Sequence, residues 1–175
     1  EEDYFIDKAV EYAEHHILDE NEASFNLSIF YGKDANWAEV LNACRRYPMF
    51  ADRQVVLLKE AQQMRDVEKL EPYIENPLGS TVLVVSYKEK KLDARRKFTK
   101  LVKEKGVLLT TKKMYDRELP ERTQHLVHSK GLSITQKALT LLVDHVGNDL
   151  TRIDNEIDKL SLNLGKRSSI SEEDI

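Results

Sequence analysis

Three short runs of the chain are almost continuously apolar or β-branched: Val55–Leu58, inside a strand Arg53–Leu58, then Thr81–Tyr87 and Val107–Thr111. Runs of that length without alternation fit strands of a parallel sheet covered on both faces. A fourth stretch, Phe25–Tyr31, alternates, with Phe25, Leu27 and Ile29 on one side. Helical spacings lie between these stretches. Tyr4–Ile17 places Tyr4, Phe5, Val10, Ala13 and Ile17 on a helical pattern. Ala35 to about Arg46 forms a second helix, capped by Asp34, with Trp37, Val40, Leu41 and Cys44 on one face. Val67–Ile74 and Asp93–Lys105 follow, the latter closed by Gly106. Strand and helix in alternation predict a parallel sheet flanked by helices. The first strand follows a helix, so a further strand ahead of Glu1 is expected.

Beyond Lys113 the period changes. Leu119–Ser129 is helical and ends at Gly131, and Ser133 is placed to cap a helix Ile134–Val146 with Ala138, Leu139, Leu142, Val143 and Val146 in one stripe. After Gly147-Asn148-Asp149, the residues Leu150, Ile153, Ile157 and Leu160 recur at spacings of three and four. The expected organisation is an α/β domain over 1–113 and a small all-helical domain over 114–175.

Composition changes this picture little. The chain has 175 residues, 33% charged and 41% hydrophobic, with a net charge of −4. That balance argues against a general nucleic-acid coat and leaves local patches open. Cys44 is the one cysteine, so no internal disulfide forms, which fits a reducing cytoplasm. No apolar run reaches membrane-spanning length, and Glu1-Glu2-Asp3-Tyr4 is acidic rather than signal-like.

Nucleotide chemistry is the first candidate function. A phosphate loop needs G-x-x-x-x-G-K-[ST] between a strand and a helix, where glycine amides cradle phosphate. Gly165-Lys166-Arg167-Ser168 is the nearest approach; it follows a helix, lacks the first glycine and has Arg167 where the motif has its hydroxyl residue. Val55–Leu58 runs into Lys59-Glu60, a cation where a magnesium-binding carboxylate belongs. His15 and His16 point about 100° apart on a helix, unlike an i, i+4 metal pair. Cys44 lies on an apolar helix face, and Ser168 and Ser169 have no nucleophile-elbow pattern. Neither a catalytic residue, a metal site nor a cofactor site is expected.

Two stretches remain. Pro48-Met49-Phe50 precedes the polar Asp52-Arg53-Gln54 and then the buried run. Met49 and Phe50 either plug the base of the core or form an exposed apolar wedge for a partner's pocket. From Lys88 to Lys105 there are nine Lys or Arg against three acids, followed by Lys112 and Lys113. The run is either a solvated helix face or a phosphate-facing patch, with Arg95, Arg96 and Lys97 the candidate contacts to DNA or to a partner subunit.

Four segments in this order resemble the delta subunit of the bacterial DNA polymerase III clamp loader. They are Glu1–Asp7, similar to that family's acidic replacement of the phosphate loop; Phe25-Asn26 with the Trp37 helix; Pro48–Val56; and Gly147–Leu150 with Asn155–Leu160. The resemblance covers essentially the whole chain as a fragment of the first two domains. It implies an AAA+ type sheet without a working phosphate loop, a helical lid, and a third, collar domain outside these residues. It also implies that Pro48, Met49, Phe50, Ala51, Asp52 and Arg53 bind the sliding clamp, the beta subunit, and open its ring during replication. Met49 stands where the family usually has leucine. The implied protein is a non-catalytic, cytoplasmic component of the polymerase III holoenzyme. Its other partners are the remaining loader subunits, through the collar, and primed DNA in the assembly. The fragment alone is expected to be a monomer. A nucleic-acid-binding module using residues 88–113, or a degenerate nucleotide-binding regulator, is the alternative.

Overall fold

Val55, Val56, Leu57 and Leu58 have no solvent exposure at all in the computed structural model. That single strand sets the architecture of the first part of the chain. Residues 2–89 and 92–175 are described, and contacts divide the chain into two compact units, 1–112 and 113–175.

The first unit opens with helix α1 (Asp3–His15) and a short α2 (Glu20–Asn26), followed by β1 (Leu27–Tyr31), α3 (Trp37–Cys44), β2 (Gln54–Lys59), α4 (Glu71–Glu75), β3 (Thr81–Val85) and α5 (Lys97–Lys105). The strands are parallel in the order β1-β2-β3, with Leu27 beside Val55 and Val55 beside Val82. Side chains of β2 alternate between two cores. Val55 and Leu57 pack with Val10, Ala13 and Leu18. Val56 and Leu58 pack with Val40, Cys44, Leu70, Tyr73 and Phe98. At about 1.5–3 kcal/mol for each fully buried aliphatic side chain, β2 contributes more apolar burial than any exposed helix face can. The expected parallel sheet between helices is therefore present.

Several boundaries differ from the sequence reading. Phe25 is not in a strand: Asp19 and Glu22 form a reciprocal capping box, and the chain runs as helix through Asn26. The cap of α3 is Asn36 rather than Asp34, because its Oδ1 accepts from the amides of both Ala38 and Glu39. Asp34 instead belongs to the turn after β1, where Gly32 is required. A Cβ there would stand 2.3 Å from the Glu60 carbonyl oxygen. The segment expected to be one helix over 67–74 is a 3₁₀ turn, Val67–Leu70, continued by α4. The basic helix starts at Lys97, not Asp93.

Val107–Thr111 forms no strand, and Val107 and Leu109 are exposed. Strand propensity without a neighbouring ladder leaves backbone groups unpaired, and among the described residues β3 pairs with β2 alone. For the same reason β3 is half-buried at all five positions rather than buried. Here the Glu2 amide donates to Thr111 Oγ1 at 3.1 Å.

The second unit contains α6 (Leu119–Ser129), β4 (Ser133–Ile134), α7 (Gln136–Val146), α8 (Leu150–Leu164) and β5 (Ser169–Ile170). It is not wholly helical, because β4 and β5 pair in parallel. That bridge takes Ser133 out of the capping position, and Thr135 caps α7 through the Ala138 amide. Leu139, Leu142, Leu150, Ile153, Ile157 and Leu160 are buried, as the helical stripes predict, and Ile170 of β5 is buried as well. Lys130 reaches both Asp154, at 2.9 Å, and Asp158.

Candidate docking loop at residues 45–53

The connection from α3 to β2 spans residues 45–53, longer than the roughly two to six residues usual between a helix and a strand. Among the described residues, 47–53 make no backbone–backbone hydrogen bond. Two buried amide side chains hold the loop instead. Asn26, at the end of α2, accepts from the Met49 amide at 2.6 Å and donates to the Met49 carbonyl at 2.9 Å. Gln54, at the start of β2, places Nε2 2.6 Å from the Arg46 carbonyl, 2.8 Å from Thr81 Oγ1 and 3.1 Å from the Ala43 carbonyl. Thr81 Oγ1 in turn donates to the Cys44 carbonyl at 3.0 Å.

Between these anchors the apolar side chains point outward. Met49 is 54% exposed and Phe50 97%. Phe50 also has φ +55°, in the left-handed region where a residue with a Cβ is strained. Pro48 and Ala51 are half-buried, while Tyr47, Asp52 and Arg53 are exposed. Arg45, Arg46 and Arg53 against Asp52 give the rim a positive balance. Of the two readings of Met49-Phe50, packing into the core is thereby excluded.

Sequence reasoning missed the two anchors. Asn26 is 23 residues from Met49, and only the fold joins them. The capping box at Asp19-Glu22 was the one local signal that helix continues to Asn26.

The other candidates resolve differently. Arg95 forms a forked pair with Asp93, Arg96 pairs with Glu68, and Lys97 lies 2.7 Å from Glu75. All three are therefore engaged with carboxylates on the surface. Lys90 and Lys91 of the same run lie outside the described residues. At the carboxyl end of the sheet, where α/β proteins commonly bind ligands, Lys59 pairs with Glu14 at 2.6 Å and Lys88 with Asp7 at 2.5 Å. These pairs line a cavity of about 270 Å³ with Tyr31 and Ser86. Burial pushes the Cys44 thiol up to about 12, so it is an inert core group. Among the described residues no cluster of His, Cys, Asp or Glu is arranged for a metal ion, and no helix is long and apolar enough to cross a membrane.

The architecture resembles the RuvB protein of Thermotoga maritima. One solved mutant form of it is 14% identical with a TM-score of 0.51, over 85% of this chain and 51% of that one. At that identity the likeness shows the fold alone, an AAA+ type α/β module, here with the exposed loop 45–53 between α3 and β2. The family model described as DNA polymerase III, delta subunit, matches residues 1–112, and the chain belongs to that family. DNA polymerase III subunit delta of Bacillus subtilis is 27% identical over 99% of this chain and 53% of its own length. The solved Bacillus subtilis DNA clamp loader delta protein matches with a TM-score of 0.79, 27% identity, and coverage of 99% and 54%. The chain thus spans about half the length of these relatives.

Proposed function

We propose that this chain is the clamp-binding part of a clamp-loader delta subunit and that the loop 45–53 is its contact with the sliding clamp. The observation that carries the reading is the outward, strained setting of Phe50 beside Met49 on a loop held from both ends. An aromatic side chain left in water gains apolar burial when a partner's pocket receives it. Burial of Met49 and Phe50 stabilises a complex by roughly 1.5–3 kcal/mol each before association costs. Pro48 and Ala51 shape the turn, and Asp52 and Arg53 lie at the rim, where charges act mainly on association rate.

Opening a ring requires no chemistry on this chain. A subunit that binds the open ring more tightly than the closed one shifts the ring toward opening by that difference in affinity. The ATP-driven step then belongs to other loader subunits, joined through a domain outside these residues, and the complex acts in the cytoplasm on primed DNA. Arg95, Arg96 and Lys97 remain available for a DNA or subunit contact only by exchanging their carboxylates, a small cost for exposed pairs.

The test is binding of the 175-residue chain to the purified clamp ring, to primed DNA and to Mg-ATP in parallel. Tight binding to the ring alone, lost in Phe50→Ala, is the expected result. Binding to DNA or Mg-ATP with none to the ring overturns it.

A further inference from the structure

Asn26 is buried, with 3% of its surface exposed, and its whole side chain is spent on Met49 of the loop and on Glu22 of its own helix. Its Oδ1 takes the Met49 amide hydrogen, and its Nδ2 donates to the carbonyls of Met49 and Glu22, at 2.9 and 3.0 Å. One donor and two carbonyl acceptors surround the group, so only this orientation of the amide satisfies them all. The side chain thereby replaces a strand neighbour for a single residue. It closes both hydrogen bonds of Met49 where residues 47–53 otherwise have no backbone–backbone bond among the described residues. The next residue is Phe50, at φ +55°. A non-glycine residue stays in that region only where its surroundings impose it.

We infer that Asn26 is the positioning residue of the docking loop: by fixing the backbone of Met49 it sets Phe50 outward before any partner arrives. This rests on the clamp-binding reading above and adds to it a determinant outside the loop. A preset loop spares the ordering cost at association. If losing Asn26 reduces the competent loop conformation to about a tenth of the population, apparent affinity falls about tenfold, because the dissociation constant scales inversely with that fraction.

The experiment compares wild type, Asn26→Ala, Asn26→Asp and Phe50→Ala in the whole chain. It measures affinity for the clamp ring, urea midpoint and hydrogen exchange of the Met49 amide. Asn26→Asp keeps the size and the acceptor for the Met49 amide but cannot donate to the Met49 carbonyl when ionised. Asn26→Ala is expected to deprotect the Met49 amide and weaken ring binding about tenfold while β2 stays protected. Asn26→Asp retains part of both the protection and the affinity, and it carries the test alone if the alanine variant does not fold. Wild-type affinity in a folded Asn26 variant, with Phe50→Ala still defective, overturns the positioning role and leaves the clamp reading intact. An unchanged Met49 amide in Asn26→Ala overturns it too. Wild-type binding by Phe50→Ala overturns the clamp reading itself, and the inference with it.

Discussion

Truncating Phe50 separates stability from binding in a way few substitutions can. The side chain is 97% exposed, so Phe50→Ala removes almost no folded-state contact and is expected to cost within about 0.5 kcal/mol. Phe50→Gly adds a second effect. At φ +55° a Cβ-bearing residue is strained by roughly 1–2 kcal/mol relative to its relaxed conformation, which glycine relieves. Against that stands the greater entropy of glycine in the unfolded chain, about 0.4–1 kcal/mol. The glycine variant is therefore expected to be as stable as wild type or slightly more so. Binding follows the opposite course. Losing a buried phenylalanine from the complex costs about 1.5–3 kcal/mol, a factor of about 10 to 150 in Kd at about 1.4 kcal/mol per decade. Titration calorimetry against the clamp ring and thermal melts on the same preparations provide both numbers. A core phenylalanine would cost about 3–5 kcal/mol. At about 2–4 °C per kcal/mol for a chain of this size, that lowers Tm by roughly 6 °C or more. A fall of that size in Phe50→Ala refutes the exposed setting, and wild-type affinity in both variants refutes the docking role.

The Cys44 thiol, pushed up to about 12 by burial, should resist a thiol reagent at about pH 8, near the ordinary thiol pKa, in native protein and react at once in denaturant. Fast native labelling contradicts the packing of α3 on β2. Gly32→Ala places a methyl 2.3 Å from the Glu60 carbonyl oxygen and should destabilise the first unit by about 1–3 kcal/mol, read as an earlier urea transition; an unchanged midpoint rejects the close approach. The Arg167 guanidinium and then the Ser171 amide hold the Asp174 carboxyl down at about 2. A depressed carboxylate stabilises above its unfolded pKa and loses that contribution as pH falls toward the folded value. The turn Ser171–Asp174 should thus persist at about pH 4 and give way near about pH 2. An NMR titration of Asp174 checks this, and Arg167→Gln should move the midpoint up. An ordinary carboxylate midpoint in wild type contradicts the pairing.

What the sequence determined by itself was whatever depends on neighbours in the chain. The apolar run 55–58 meant a strand covered on both faces, because it is short, rich in valine and bounded by polar residues, and β2 is that strand. The spacing of Leu150, Ile153, Ile157 and Leu160 likewise meant one buried face of α8. Motif absence was equally local: a phosphate loop is contiguous, and none is written in the chain. Met49-Phe50 stood out from its setting between Pro48 and Asp52, yet the same letters allowed a core plug. Tertiary structure decided the rest, because the deciding partners are distant in sequence. Asn26 and Gln54 face the loop outward through hydrogen bonds spanning 23 and 8 residues. Val107–Thr111 has the composition of a strand, but a strand exists only with a ladder beside it, and composition carries no record of the neighbour. Ser133 looked like a cap until Ser169 paired beside it. Propensity is a property of a segment, whereas exposure, pairing and positive φ are properties of what surrounds it.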